Sequence, residues 1–315
     1  MMILDPISVA IGIIQPMILV VLAPLLTGIM RKTKARTQKR IGSSILQPYY
    51  DMIKLMKKDE VVSENSSWLF RASPWINFVS SVTAACFIPV MIFYSPLGLV
   101  GDMLVVIGLF GLGRFFTLLA GLDVASSFGG LGSSREMMIS ALIEPALFIT
   151  LFAVSLTLGG TNISTMVESA AYSTILAPSM IFAAISFFII ILAETGRLPF
   201  DNPATHLELT MMHEATILEY SGKSLALIEW SQSIKQVVLF GLFVNLFVPF
   251  GMSTVTSFAI LGVGLVFFIA KTAFFSILIA FIETKVAKWR LFRVPDLISM
   301  SIASSIIGVI FFYLK

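Results

Sequence analysis

The sequence predicts an all-α integral membrane protein of about eight transmembrane helices and one amphipathic helix on the membrane surface. Three observations carry this. The 315 residues are 57% hydrophobic and only 12% charged, with mean hydropathy +0.95, a balance outside the range of soluble domains. Apolar runs long enough to cross the roughly 30 Å hydrocarbon core recur along the whole chain. Lys and Arg gather in alternate loops, as they do on the cytoplasmic side of membranes.

Eight spans are expected near 7–30, 76–95, 99–121, 137–159, 176–194, 233–252, 257–281 and 296–314. The first follows no basic segment and is long enough to stay in the membrane, so no cleaved signal is expected. The loop after it carries ten basic residues and the loop after the seventh span carries four, whereas 95–101, 160–175 and 252–256 carry none. Odd-numbered loops are therefore expected in the cytoplasm and both termini outside, in a cell (inner) membrane. The basic pI of about 9.0 reflects this topology and not a nucleic-acid surface. One membrane domain, 1–315, is expected, with a cytoplasmic loop at 31–75 and an acidic cytoplasmic or intramembrane loop at 194–230. No internal repeat stands out, and the glycines of GLFGLG at 108–113 fall in a span as helix-packing surface.

In the first loop, Ile45, Tyr49, Met52, Ile53 and Met56 share one helical face, while Gln47, Asp51, Lys54 and Lys58 share the other. The pattern is that of a helix lying along the membrane surface, with Pro48 in its first turn. The chain then changes character at 193–222. Between Glu194 and Glu229 six carboxylates (Glu194, Asp201, Glu208, Glu214, Glu219, Glu229) face only Arg197 and Lys223, and both histidines, His206 and His213, lie there. Asn202 as N-cap, Pro203 at the first turn and Gly222 past the end predict a helix over 203–221.

Charges within spans need a reason, because insertion at the bilayer centre costs about 2.5–3.5 kcal/mol each. Glu144, about two turns inside the fourth span beside Pro145, is the leading candidate for proton exchange; the alternative is a static pair with Arg114 or a lysine. Lys271 and Asp102 are further candidates for an ion path. Lys235 is expected to snorkel to the surface, Arg114 and Asp123 to be structural, and Arg135 and Glu136 to cap the fourth span. His206 and His213 are seven residues apart, too far along a helix to hold one metal ion together, so no metal site is expected. Cys86 is the only cysteine, and this chain alone holds neither an iron–sulfur cluster nor a disulfide.

Three stretches carry a family resemblance: A-R-x-Q-x-R-x-G with L-Q-P-Y-x-D-x-x-K-L at 35–55, ETGRLPFDNPATHLELTMMHEATILEYSG at 194–222, and FIETKVAKWRLFRVPDL at 281–297. They resemble the complex I subunit 1 family, and the second is similar to the branch found in membrane-bound nickel–iron hydrogenases of the hydrogenase-4 and formate hydrogenlyase type. Ala204 and His206 stand where the quinone-reducing branch carries further acids. The resemblance implies a non-catalytic core membrane subunit of an ion-translocating hydrogenase-type complex. It implies as partners a nickel–iron large subunit, an iron–sulfur small subunit and antiporter-like membrane subunits, with the nickel–iron centre and iron–sulfur clusters held by the partners and no cofactor here. It implies docking through Arg36, Arg40, Gln47, Asp51, Lys54, Arg197, Arg290 and Arg293, and an ion or proton path through Glu144, Glu194, Asp201, Glu208, Glu214, Glu219, His206, His213, Lys271 and Asp102. A quinone-site subunit of a complex I-type dehydrogenase, a stand-alone secondary transporter and an inert anchor are the competing readings.

Overall fold

The structure, a computed structural model, describes residues 6–93, 95, 97–98, 101–172, 177–201, 212–252 and 258–314, and statements of absence below refer to these. Eleven α-helices follow one another: α1 (Pro6–Thr37), α2 (Gln47–Met56), α3 (Trp68–Ala85), α4 (Met103–Asp123), α5 (Ser127–Leu158), α6 (Ile163–Tyr172), α7 (Pro178–Glu194), α8 (His213–Thr216), α9 (Gly222–Phe247), α10 (Phe258–Lys285) and α11 (Val294–Tyr313). Five stretches are long and apolar enough to cross a membrane, at Ile11–Thr37, Met103–Asp123, Ser127–Leu158, Ile260–Lys285 and Leu291–Tyr313, and Pro178–Glu194 is apolar but shorter. The protein is thus an all-α, multi-pass membrane protein. Its periphery carries exposed Met17, Val21, Val266 and Phe274, as befits a surface that meets lipid tails.

Each of the eight expected spans overlaps a helix, but several boundaries shift. Hydropathy marks where a helix is greasy, whereas caps decide where it starts and stops. Ser67 Oγ accepts from Leu69 N at 3.2 Å and Ser126 Oγ from Gly129 N at 3.1 Å, so α3 and α5 begin well before their apolar runs. Asp102 Oδ1 opens α4 by accepting from Leu104 N at 2.9 Å. Left-handed Gly159 (φ +81) closes α5, the usual use of glycine there. The expected span 76–95 is corrected at its far end: α3 stops at Ala85, and residues 86–93 continue as buried, non-helical chain.

Pairwise packing of α3 on α4 and α9, α11 on α7 and α5, and α1 on α10 and α9 closes the bundle. Phe187, Phe188, Phe240, Phe243, Phe247 and Phe275 interlock in its centre, with Phe240 and Phe275 edge to face at 5.0 Å. Hydroxyls fasten α5, α7 and α11 together. Thr150 Oγ1 lies 2.6 Å from Ser186 Oγ and 2.9 Å from Ser305 Oγ, and Ser186 Oγ lies 2.8 Å from Ser301 Oγ, all fully buried. Such small polar contacts join helices where lipid supplies no hydrophobic drive.

The surface helix α2 is present with Pro48 in its first turn. Pro48 and Met52 are its buried residues, while Ile53 of the expected apolar face is exposed. α2 sits against α1 and α9 because Gly28 of α1 admits the backbone ahead of it: a Cβ there would stand 1.9 Å from the Ile45 carbonyl oxygen. No alanine fits without moving that strand. Gly28→Ala is therefore expected to lift α2 while the bundle persists, raising tryptic cleavage at exposed Lys57 and Lys58 about tenfold, the effect of ~1.4 kcal/mol of lost docking. Cleavage at the wild-type rate would show that α2 is held elsewhere.

Candidate functional site

The expected helix over 203–221 is corrected in its described part. Residues 202–211, including Asn202, Pro203, Ala204, His206 and Glu208, lie outside the described residues. Within 212–221 only His213–Thr216 is helical, and a turn follows. Gly222 opens α9 instead of closing a helix. It adopts φ +51, and a Cβ would meet the Asp59 carbonyl oxygen at 2.7 Å, because the loop after α2 crosses here. Val61 N donates to Ser221 Oγ at 2.9 Å, Ser221 Oγ donates to Val61 O at 3.0 Å, and Ser224 Oγ donates to Glu60.

The three motif stretches meet on one face. Lys34 Nζ pairs with Glu283 Oε2 at 2.6 Å, Lys288 Nζ with Asp201 Oδ1 at 2.7 Å, and Trp289 N donates to Pro199 O at 3.0 Å. Arg197, expected to dock a partner, is corrected. Its side chain is 12% exposed and turned inward, donating from Nη2 to Gln236 Oε1 at 2.6 Å with Glu283 3.9 Å away. Burial pulls its guanidinium below its ordinary pKa, against the raising effect of Glu283. Of the other expected docking residues, Arg36, Arg40, Lys54, Arg290 and Arg293 are exposed. Gln47 Nε2 donates to Asp51 Oδ1 at 2.8 Å, and Asp51 lies 3.6 Å from Arg31.

Beneath this face lies a cavity of about 750 Å³. Among the described residues its walls carry six cationic and five acidic side chains together with His213. Apolar side chains such as Phe110, Ile139 and Ile143 share these walls with the charged groups.

One wall is a cluster of buried charge drawn from five helices. Arg114 of α4 donates from Nη1 to Glu144 Oε1 of α5 at 3.2 Å and from Nη2 to Glu194 at the end of α7. Lys235 Nζ of α9 reaches the same Glu194 Oε2 at 2.6 Å. Glu136 of α5 faces α8, with Oε1 3.3 Å from His213 Nδ1 and Oε2 accepting from Thr216 Oγ1 at 3.3 Å. It also lies in the field of Arg114 and Lys235. His213 N donates to Asp201 Oδ2 at 3.4 Å. The Glu194 carboxylate is 1% exposed, whereas that of Glu144 is 44% exposed. Glu144 is thus the ion-pair partner of Arg114, and it marks where the cluster reaches the outer surface of the bundle.

The structure brings together Glu144, Glu194, Asp201, Glu214 and His213 around the cavity and its wall. It sets Asp102, Glu219 and Lys271 apart. Asp102 caps α4 and accepts from Thr161 Oγ1 at 2.9 Å, Glu219 is exposed, and Lys271 donates to Val248 O and Phe250 O. Sequence reasoning gave Arg114 as the static partner of Glu144 in its alternative reading, and missed the places of Glu136 and Lys235. Glu136 is no cap but the partner of His213, Arg114 joins two acids, and Lys235 is buried against Glu194 and does not snorkel outward. Among the described residues no group of three or more His, Cys, Asp or Glu could hold a metal ion.

Burial opposes protonation of His213, but the Glu136 carboxylate, aided by Glu214 and Asp201, outweighs it. The pKa therefore lies above its ordinary 6.5. A raised folded-state pKa means that the stabilisation is fully present below the unfolded value and is lost as pH rises through the folded value. The thermal midpoint is expected to fall on titrating from about pH 6 to 9, and Glu136→Gln to flatten that slope; an unchanged slope in the variant would remove His213–Glu136 as its source. Arg114→Leu, which leaves Glu194 buried and short of a cation, is expected to cost about 3–5 kcal/mol. Adding Glu194→Gln should recover part of the loss, as read by denaturation of the two variants.

Three comparisons bear on these features. The sequence profile of the family described as NADH dehydrogenase matches residues 9–313. The chain is 36% identical to hydrogenase-4 component C of Escherichia coli (strain K12) over 91% of its own length and 90% of that protein's. It is 36% identical to formate hydrogenlyase subunit 4 of the same strain, over 91% and 93%. A solved chain from the membrane-bound sulfane sulfur reductase, described as an archaeal respiratory membrane complex, superposes with TM-score 0.81 at 21% identity, covering 96% of this chain and 99% of that one.

Proposed function

This chain belongs to the NADH dehydrogenase subunit 1 family, and from that premise we propose that it is the core membrane subunit of a redox-driven, ion-translocating hydrogenase-type complex. In this reading it transfers no electrons. It seats a nickel–iron large subunit and an iron–sulfur small subunit on the cytoplasmic face formed by 31–60, 193–222 and 284–295, with both termini outside and eight membrane crossings in all. The knitting of these three stretches into one face supports that role. So does the exposure of Arg36, Arg40, Lys54, Arg290 and Arg293.

One observation carries the coupling role: the charge balance of the buried cluster. Three carboxylates, Glu136, Glu144 and Glu194, face two basic side chains, Arg114 and Lys235. In this reading a proton on His213, whose Nδ1 lies 3.3 Å from Glu136 Oε1, matches the remaining negative charge. A cluster one charge from neutrality and bordered by a polar cavity is built to take up or release a single proton when the charge of a neighbouring redox centre changes.

Glu144 gives the path its direction. A half-exposed carboxylate on a membrane-crossing helix does not face lipid, so a neighbouring membrane subunit of antiporter type covers it. The beginning and end of the path are then the cavity and the α4–α5 surface. Asp201 and Glu214 lie on the cavity side, with Glu208 and His206 in the same stretch of sequence.

The test uses the complex in sealed membrane vesicles. Glu136→Gln, Glu194→Gln and Glu144→Gln should leave redox turnover within about twofold while ion uptake falls at least about tenfold, the scale of a lost proton-transfer group. Pumping that survives all three substitutions would reduce the chain to an anchor. Mild-detergent capture should bring nickel and iron along with it, and a chain that purifies alone and moves a solute in liposomes would overturn the complex reading.

A further inference from the structure

α1 carries a buried proline, Pro24, well inside the helix Pro6–Thr37. Proline has no N–H, so the carbonyl four residues back, that of Val20, has no partner within the helix. Backbone freed inside a bundle must be satisfied by its neighbours. Trp230 of α9 supplies the missing hydrogen: its Nε1 donates to Val20 O at 3.1 Å. The indole packs against Phe78 of α3, with ring centroids 5.2 Å apart. Thr27 Oγ1 of α1 lies 3.4 Å from Ser233 Oγ of α9, so the same seam continues beyond the proline.

The next rung of the α1 ladder is engaged from the other side. Tyr49 of the surface helix α2 donates from its hydroxyl to Val21 O, and the Leu25 N–H hydrogen-bonds the same phenol oxygen. Leu25 N and Val21 O are the donor and acceptor that an α-helix joins directly. The phenol thus holds both ends of one rung, the position from which a side chain inserts into the ladder and opens a helix. Of two adjacent rungs, one is removed by proline and one is contested by a hydroxyl. α9 satisfies the first and α2 the second.

We propose that the Pro24 region of α1 is a latch between α2 and α9, with Tyr49 and Trp230 as positioning residues that keep α1 open there, so that seating or lifting α2 is felt at α9. The two bonds cooperate because they share one opening. Pro24 leaves Val20 O available to the indole, and with Trp230 engaged the neighbouring rung stays open for the phenol. Loss of either bond lets Leu25 N return to Val21 O, which weakens the other. Lys235 follows Trp230 by five residues on α9 and pairs with Glu194 at 2.6 Å, so the far side of the latch is the charge cluster. Coupling of this kind is reciprocal. It is a property of the chain alone and stands whether or not the hydrogenase-type reading does.

The test reads α2 from the side of α9. The full-length chain in mild detergent is digested with limiting trypsin, and cleavage after Lys54, exposed within α2, is compared with cleavage after exposed Arg290. Trp230→Phe removes the indole N–H and keeps an aromatic ring. It should raise cleavage after Lys54 about fivefold, the worth of one hydrogen bond, and leave cleavage after Arg290 unchanged. Tyr49→Phe should do the same. Pro24→Ala returns an N–H to Val20 O and closes the ladder, so it should raise Lys54 cleavage to that level by itself, and adding Trp230→Phe should change nothing further. Lys54 cleavage at the wild-type rate in Trp230→Phe would overturn the proposal. So would an equal rise at both sites, or a full further effect of Trp230→Phe in the Pro24→Ala chain. Pro24→Ala installs a good helix former and serves if Trp230→Phe does not accumulate; wild-type cleavage there, or absence of both variants from membranes, would equally overturn it, because the latch biases a chain that folds without it.

Discussion

Arg114 is the one side chain on which the interior of this protein depends. Its guanidinium reaches a carboxylate on α5 and another at the end of α7 while sitting on α4, and Lys235 on α9 completes the bridge. Four helices are thereby registered against one another by charge, in surroundings where an unpaired ion would cost several kcal/mol. Guanidinium suits the task because its planar fork offers several donors at fixed angles and stays protonated, so it serves two acids at once where an ammonium offers a point charge. The same constraint explains why the cluster is compact. Each acid taken out of water requires a cation within reach, and each cation requires an acid, until the sum approaches zero.

The remaining charge sets the chemistry. Buried clusters that balance without a titratable member are mechanical, since no change in proton concentration near neutrality alters them. The titratable member here is His213, carried on α8, a single turn of helix followed by a turn. The carboxylate that faces it, Glu136, belongs to the 32-residue α5. A titratable group on a short, locally bounded element set against a fixed partner is the arrangement in which protonation and small movements of chain are coupled.

Much of this was legible in the sequence, for reasons that differ by residue. Apolar runs and basic loops locate helices because lipid imposes length and polarity directly, and the motifs at 35–55 and 194–222 announced the family. Helix ends were less visible. Ser67 and Ser126 extend α3 and α5 through caps that hydropathy does not weigh, and Gly222 could not be told as an opener from a closer until the Asp59 carbonyl was seen against it. The acids of the site were found because carboxylates in a greasy stretch are conspicuous. Of their partners only Arg114 was, as the counter-charge of Glu144, because between 72 and 196 the only basic residues are Arg114 and Arg135; Lys235, expected at the surface, was not. Glu136 was hidden by its position near a helix start, where an acid has a sufficient local explanation.

α9 runs from the charge cluster at Lys235 to the non-helical chain after Phe247. Lys235 lies in the wall of the cavity, and Val248, 13 residues on, takes the Lys271 ammonium, a separation of about 20 Å along a helix. Between them the helix is packed on nearly every side, with Val237, Val238, Leu239 and Phe240 all buried, so it has little freedom to bend and moves, if at all, as a rod. A change in the charge that Lys235 faces at Glu194 therefore acts on a helix whose far end is held by hydrogen bonds to one ammonium. Covalent continuity makes the rod stiff, and the non-helical residues 86–93 and 248–252 at its far end make the anchorage local, since a hydrogen bond to a carbonyl past the helix end breaks without unwinding any turn.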